Sequence, residues 1–153
     1  MKVIDDFLTE DECDFLIDYY KKYRDKETYN ATLILRMKDT SLFNLRKSWI
    51  RYRYLKKIKK EFSLKLNDDA IVFWPPTSFK KMHKDGTMQK KNEWVSVCYL
   101  NDDFHGGETI IEDQMIKPRR GGLTVFNSNK LYHGVTPASA WRYTYIAWWK
   151  KKG

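Results

Sequence analysis

The chain has 153 residues, 29 Lys and Arg against 20 Asp and Glu, a formal net charge of +9, and an aromatic content of 16%. That length suits one domain with its own core and is too short for two, and six Trp with ten Tyr supply enough apolar surface to need no disulfide framework. No apolar run approaches the roughly 20 residues of a membrane span, and the opening MKVIDDFLTEDE lacks an apolar signal core; Cys13 and Cys98 match no metal or redox spacing, so a cytoplasmic protein with two free thiols and no membrane partner is expected.

Thr9 and Glu12 form a capping box ahead of Cys13, Phe15, Leu16, Tyr19, Tyr20 and Tyr23, which predicts a helix over about residues 10–24. Asn30 to Met37 suits a strand. Leu45 to Phe62 carries Trp49, Tyr52, Leu55, Ile58 and Phe62 on one stripe and reads as a basic amphipathic helix. From Asp69 the texture changes to short β-branched and aromatic runs: AIVFW (70–74), WVSVCYL (94–100), ETII (108–111), GLTVF (122–126) and RYTYIAWW (142–149). Residues 102–107 and 118–122 supply turn chemistry between them. The expected fold is mainly β with N-terminal helices (α+β), a jelly roll buttressed by helices. It forms a single domain over residues 1–153, with a helical part at 1–68 and a β core at 69–150.

Basic clusters at Lys56–Lys60, Lys80–Lys84, Lys90–Lys91 and Lys150–Lys152 favour an acidic partner or nucleic acid, although each can equally be a solvated face. The candidate chemistry lies later. On a strand, residues two apart share a face, so His83 and Asp85 can offer an imidazole and a carboxylate to one metal. With His133 from a distant strand they would make the two-histidine, one-carboxylate set that leaves open positions on non-haem Fe(II). Taken alone, a His-x-Asp pair is more often an ordinary surface pair, and His133 can be a turn residue; His105, in an Asp- and Gly-rich loop, is the spare ligand.

Four blocks occur in the order and spacing of one family: H-K-D (83–85), Y-L-N-D-D-F-H-G-G-E-T-I (99–110), I-K-P-R-R-G-G-L-T-V-F (116–126) and H-G-V-T-P-A-S-A-W-R-Y (133–143). Together with the opening I-D-D-F-L-T-E-D-E-C, they make the chain resemble the prolyl 4-hydroxylase-like branch of the 2-oxoglutarate and Fe(II)-dependent dioxygenases. The resemblance implies a double-stranded β-helix (cupin-like) with His83, Asp85 and His133 as metal ligands and Arg142 as the anchor of the far carboxylate of 2-oxoglutarate. Arginine at this point is similar to the oxygen-sensing protein hydroxylases, whereas collagen-type enzymes usually have lysine. By the same matching, Tyr99 helps bind that carboxylate, Val97, Thr109 and Val135 form walls of the cosubstrate pocket, and Trp148 lines the metal cavity. The chain departs from the family at Trp74-Pro75-Pro76, where members often carry tyrosine followed by Pro-Gly. On physical grounds, a guanidinium at Arg142 that enters the barrel would carry a large desolvation cost unless a carboxylate met it.

The implied reaction uses Fe(II), 2-oxoglutarate and O2, with ascorbate a candidate addition, and hydroxylates a C–H bond while 2-oxoglutarate is decarboxylated to succinate. The implied partner is a proline-containing protein or peptide. Two alternatives remain at this stage. One is a nucleic-acid oxygenase, favoured by charge but lacking the second arginine of an R-x-N-x-T-x-R block at 142–148. The other is a jelly-roll binding module without turnover.

Overall fold

Helix α1 (Glu10–Tyr23) starts where the sequence places it: the Thr9 hydroxyl accepts from the Glu12 N–H at 3.1 Å, and the Glu12 carboxylate accepts from the Thr9 N–H at 3.0 Å. Two of the donors that a helix start leaves open are thereby satisfied. The structure, a computed structural model, describes residues 1–24, 34–37, 44–85 and 93–152. The expected strand at 30–37 is therefore seen only as β2 (Ile34–Arg36), and Lys90 and Lys91 fall outside the described residues.

Helix α2 (Leu45–Phe62) begins at Asn44, whose side chain accepts from the Lys47 N–H, and ends at Ser63 in the left-handed region with φ 52°. Its bounds match the expectation, and its buried stripe matches in part. Ile50, Tyr54, Leu55 and Ile58 are buried, whereas Trp49 and Tyr52, placed on the apolar stripe by spacing, face solvent. Tyr54 explains the rotation, because its ring stacks on Tyr145 at 4.3 Å and brings its own side of the helix to the sheet.

The remaining strands are β1 (Lys2–Ile4), β3 (Leu64–Trp74), β4 (Lys80–His83), β5 (Trp94–Tyr99), β6 (Thr109–Ile111), β7 (Gln114–Ile116), β8 (Leu123–Asn127), β9 (His133–Val135) and β10 (Arg142–Lys151). They form a six-stranded sheet ordered β1-β8-β5-β10-β3-β2 and a four-stranded sheet ordered β4-β9-β6-β7, with every pairing antiparallel. This is the double-stranded β-helix expected of the chain. Strands β1 and β7 escape the sequence reading because three residues show no hydrophobic period, whereas β4 and β9 were expected only as the strands that carry His83 and His133. Strand β3 also begins at Leu64, earlier than the expected AIVFW, because Lys65, Asn67, Asp68 and Asp69 disguise its first half.

The long central strand β10 is buried on both faces. Tyr143, Tyr145, Ala147 and Trp149 join the core beneath the helices with Leu16, Tyr20 and Ile58, while Ile146 joins Val95, Val97, Tyr99 and Phe126 in the second core cluster. The N-terminal segment is tied to the end of the turn before β8. Phe7 and Leu8 N–H groups both donate to the Gly121 carbonyl, and a Cβ on Gly121 (φ +82°) would stand 2.3 Å from the Leu8 carbonyl oxygen. Cys13 and Cys98 are buried free thiols. Among the described residues, no helix is long and apolar enough to cross a membrane.

One ion pair locks α2 to the sheet. Asp69, wholly buried, receives Nε and Nη2 of Arg51 at 2.8 and 2.9 Å and the Tyr145 hydroxyl at 2.6 Å. Replacing Arg51→Met leaves that carboxylate buried without its cation and is expected to cost about 3–5 kcal/mol in denaturant unfolding. Adding Asp69→Leu should restore most of the loss. A single-variant cost below about 1 kcal/mol would show that this pair is no stronger than a surface ion pair.

Candidate metal centre and cosubstrate cavity

The facing ends of β4 and β9 bring two imidazoles together. His83 and His133 are directly paired in the ladder, with ring centroids 4.3 Å apart. Asp85 does not sit on the same strand as His83, as the spacing suggested. Strand β4 stops at His83, because β9 starts at its partner His133 and offers nothing further to pair with. Asp85 is fixed instead by its own N–H, which donates to the Ser128 carbonyl at 2.9 Å. Its Oδ1 lies 3.4 Å from His83 Nε2 and 3.3 Å from His133 Nε2.

The hydrogen bonds on the far sides of the rings decide which nitrogens are free. Nδ1 of His83 lies 2.7 Å from the Lys81 carbonyl and Nδ1 of His133 lies 2.9 Å from the Leu131 carbonyl. A carbonyl can only accept, so each Nδ1 carries a proton and donates, and in the neutral ring Nε2 keeps its lone pair. Two Nε2 lone pairs and one carboxylate oxygen, all within 4.8 Å of one another, form a donor set suited to a divalent first-row metal. Burial raises the pKa of the Asp85 carboxyl, but hydrogen bonds from His133 and Ser128 and the positive charge of the two imidazoles when both ring nitrogens are protonated outweigh it and hold the carboxyl below its ordinary value. His105, the spare, is exposed and takes no part in this cluster.

The three residues open onto a cavity of about 480 Å³ between the two sheets. Val97, Thr109, Val135, Trp148 and Arg142 line it. Tyr99 is not among the lining residues. Its hydroxyl lies 2.6 Å from Thr109 Oγ1 and 3.3 Å from Thr124 Oγ1, so it reaches the cavity through Thr109.

Arg142 is 1% exposed, its Nε donates to the Gly107 carbonyl at 3.1 Å, and its Nη1 has no hydrogen-bond partner among the described residues. Burial pushes this guanidinium down to about 10, with only Tyr99 opposing. The rings of Trp74 and Tyr99 flank it, with centroids 5.0 and 5.6 Å from Cζ. Trp74, whose role the sequence left open, is itself held by donation from Nε1 to Thr144 Oγ1 at 3.3 Å. Gly107, read from sequence only as a turn residue, is also part of the site. At φ +67°, a Cβ there would come within 3.1 Å of Arg142 Cδ and 2.8 Å of the Phe104 ring. No local signal marks it, since its φ and its contact with Arg142 appear only in the folded chain.

Residues 70–150 match the sequence profile of the 2OG-Fe(II) oxygenase superfamily. The chain belongs to that superfamily. It is an oxygenase of the Fe(II)- and 2-oxoglutarate-dependent class, and its fold is that of prolyl hydroxylases. The Pseudomonas putida prolyl-4-hydroxylase aligns with TM-score 0.77 and 20% identity, covering 99% of this chain and 92% of that one. The viral collagen prolyl hydroxylase of Paramecium Bursaria Chlorella virus-1, solved as a 2OG complex, gives 0.73 and 18%, covering 99% and 96%. A Trichoplax adhaerens prolyl hydroxylase in complex with a hypoxia inducible factor oxygen degradation domain peptide fragment gives 0.74 and 14%, covering 97% and 82%. No curated protein sequence matches the chain. The oxygenase cofactors fit what is present: a nitrogen, nitrogen and oxygen donor set at one side of the cavity, and an unsatisfied buried cation for a dicarboxylate in its wall.

The buried cation has a sign that can be measured. Because the folded-state pKa of Arg142 lies below its ordinary value, its charge opposes folding in full below about pH 10 and ceases to do so only above it. Arg142→Met is therefore expected to leave the apo melting temperature unchanged or raised at pH 7. It should weaken anaerobic 2-oxoglutarate binding to the metal-loaded protein by about 2–5 kcal/mol. A variant that loses apo stability and still binds 2-oxoglutarate like the wild type would overturn this account.

Proposed function

We propose that His83, Asp85 and His133 hold Fe(II), that Arg142 receives the distal carboxylate of 2-oxoglutarate, and that the protein hydroxylates prolyl residues in a polypeptide. The observation that carries this reading is the coincidence, in one cavity, of the three-donor cluster and the orphaned Nη1 of Arg142. When bound, Fe(II) and 2-oxoglutarate supply O2 activation coupled to decarboxylation of the cosubstrate to succinate and CO2.

The protein's own contribution is placement. The Lys81 and Leu131 carbonyls fix the two imidazole planes, and Ser128 fixes the backbone of Asp85, so the donor atoms are set before any ligand arrives. Arg142, clamped by Gly107 and flanked by Trp74 and Tyr99, meets a carboxylate as a charged and already desolvated donor. Val95, Val97, Phe126 and Ile146 make the surrounding wall apolar and exclude water from the reacting groups. At the mouth, Phe79 lines the cavity while remaining exposed, which offers an incoming pyrrolidine ring an aromatic surface. The fold neighbours that act on prolyl residues, one of them with a bound peptide, support a polypeptide substrate. In this reading the whole of residues 1–153 works as one domain, with the helices covering the outer face of the six-stranded sheet that supplies Arg142.

Anaerobic addition of Fe(II) and then 2-oxoglutarate should give a metal-to-ligand charge-transfer band in the wild type that is absent in His133→Ala. In air, proline-containing peptides should gain the mass of one oxygen atom with matching succinate release. If the band forms but succinate release follows only a nucleobase or a free amino acid, the oxygenase assignment stands and the prolyl substrate is wrong.

A further inference from the structure

The aromatic face that α2 turns to solvent is unexplained by the oxygenase centre. Trp49 and Tyr52 are 59% and 55% exposed and lie nearly parallel, with ring centroids 6.0 Å apart and planes 26° apart. Along the same face, at three- and four-residue spacing, follow Lys56, Lys59 and Lys60. The Lys56 ammonium lies 5.5 Å from the Tyr52 ring. Tyr52, Lys56, Lys59 and Lys60 line a groove of about 740 Å³ together with Met37, Leu55, Leu66 and Lys152, and Trp49 stands beside it, stacked on Tyr52.

Six cationic residues line the groove, and no carboxylate does so among the described residues. Two of the six are engaged: Arg51 with Asp69, and Lys47 with the Met37 carbonyl. Lys56, Lys59, Lys60 and Lys152 have no ion-pair partner among the described residues. Like charges at such spacing repel one another, and large exposed rings forgo burial. No residue of this groove lines the metal-centre cavity.

We propose that this face binds single-stranded nucleic acid, with bases stacking on Trp49 and Tyr52 and the phosphate backbone following Lys56, Lys59, Lys60 and Lys152. Cations tracking a backbone beside a sequence-tolerant aromatic platform are the two parts that single-strand recognition requires. An acidic polypeptide would satisfy the lysines but leave the paired rings without a planar partner. Nucleic acid is then a docking partner held away from the oxygenase centre and not the molecule oxidised there, which reconciles the +9 charge with the lone arginine of the 142–148 segment.

The test is fluorescence anisotropy with a labelled oligothymidylate of about 20 nucleotides, titrated over a range of salt, against polyglutamate and phosphatidylserine vesicles as competitors. The wild type should bind the oligonucleotide in preference to both. Lys56→Gln with Lys59→Gln and Lys60→Gln should reduce the magnitude of the slope of log affinity against log salt by about 2. Trp49→Ala with Tyr52→Ala should weaken binding at least about fivefold with the salt slope kept, and Trp49→Phe should retain most of it. All five positions are exposed, so melting temperatures and the Fe(II)–2-oxoglutarate band should match the wild type. The proposal fails if the oligonucleotide does not bind at low salt or if polyglutamate or vesicles compete it away. It fails equally if the control pair Lys117→Gln and Lys130→Gln, exposed and away from α2, weakens binding as much as the lysine triple variant.

Discussion

Strand β10 has no solvent face, and the rest of the molecule is arranged around that constraint. It lies between β5 and β3, so its hydrogen-bonding edges are both used, and successive side chains enter two different interiors. Odd positions from Tyr143 to Trp149 build the core beneath α1 and α2. Even positions at Arg142, Ile146 and Trp148 line the cavity between the sheets. A slip of one residue would send the guanidinium into the helical core and tyrosine rings into the cavity, so the register that stabilises the fold also sets the site.

The two charged groups buried beside this sheet show opposite uses of the same physics. Asp69, on the helix side, has its full complement of partners in Arg51 and the Tyr145 hydroxyl, and it holds α2 in place. Arg142, on the cavity side, keeps an Nη1 that has no partner among the described residues, in a space that water-excluding side chains surround. A buried charge without a partner is unfavourable for folding, and an anionic ligand that supplies the partner recovers that free energy as affinity. The candidate metal donors are prepared in a milder way, since backbone carbonyls fix both rings and leave the Nε2 atoms free to converge on Asp85.

Much of the site was legible in the sequence because it rests on short local patterns. The capping box at Thr9 and Glu12, the bounds of α2 and the β texture after Asp69 appear in the folded chain where spacing placed them, and His83, Asp85, His133 and Arg142, singled out from the sequence, face one cavity. What failed was anything that depended on a distant neighbour. Trp49 and Tyr52 carry the right period for a core stripe, yet Tyr54 stacks on Tyr145 and rotates them outward. Asp85 was expected on a strand with His83, but the ladder ends where β9 begins. The partners of the Tyr99 hydroxyl, Thr109 and Thr124, were likewise not readable from its spacing.

The sequence by itself determined the chemistry available, a fold class and the family, because residue types, order and alternation are properties of the chain alone. Only the tertiary structure decided that Arg142 keeps an unpaired donor, that Gly107 and Trp74 belong to the site, and that the aromatic and lysine face of α2 stays in solvent. The reason is that partner satisfaction and burial are relations between segments far apart in sequence, in this chain between residues 35 and 91 positions apart, and no local pattern encodes them.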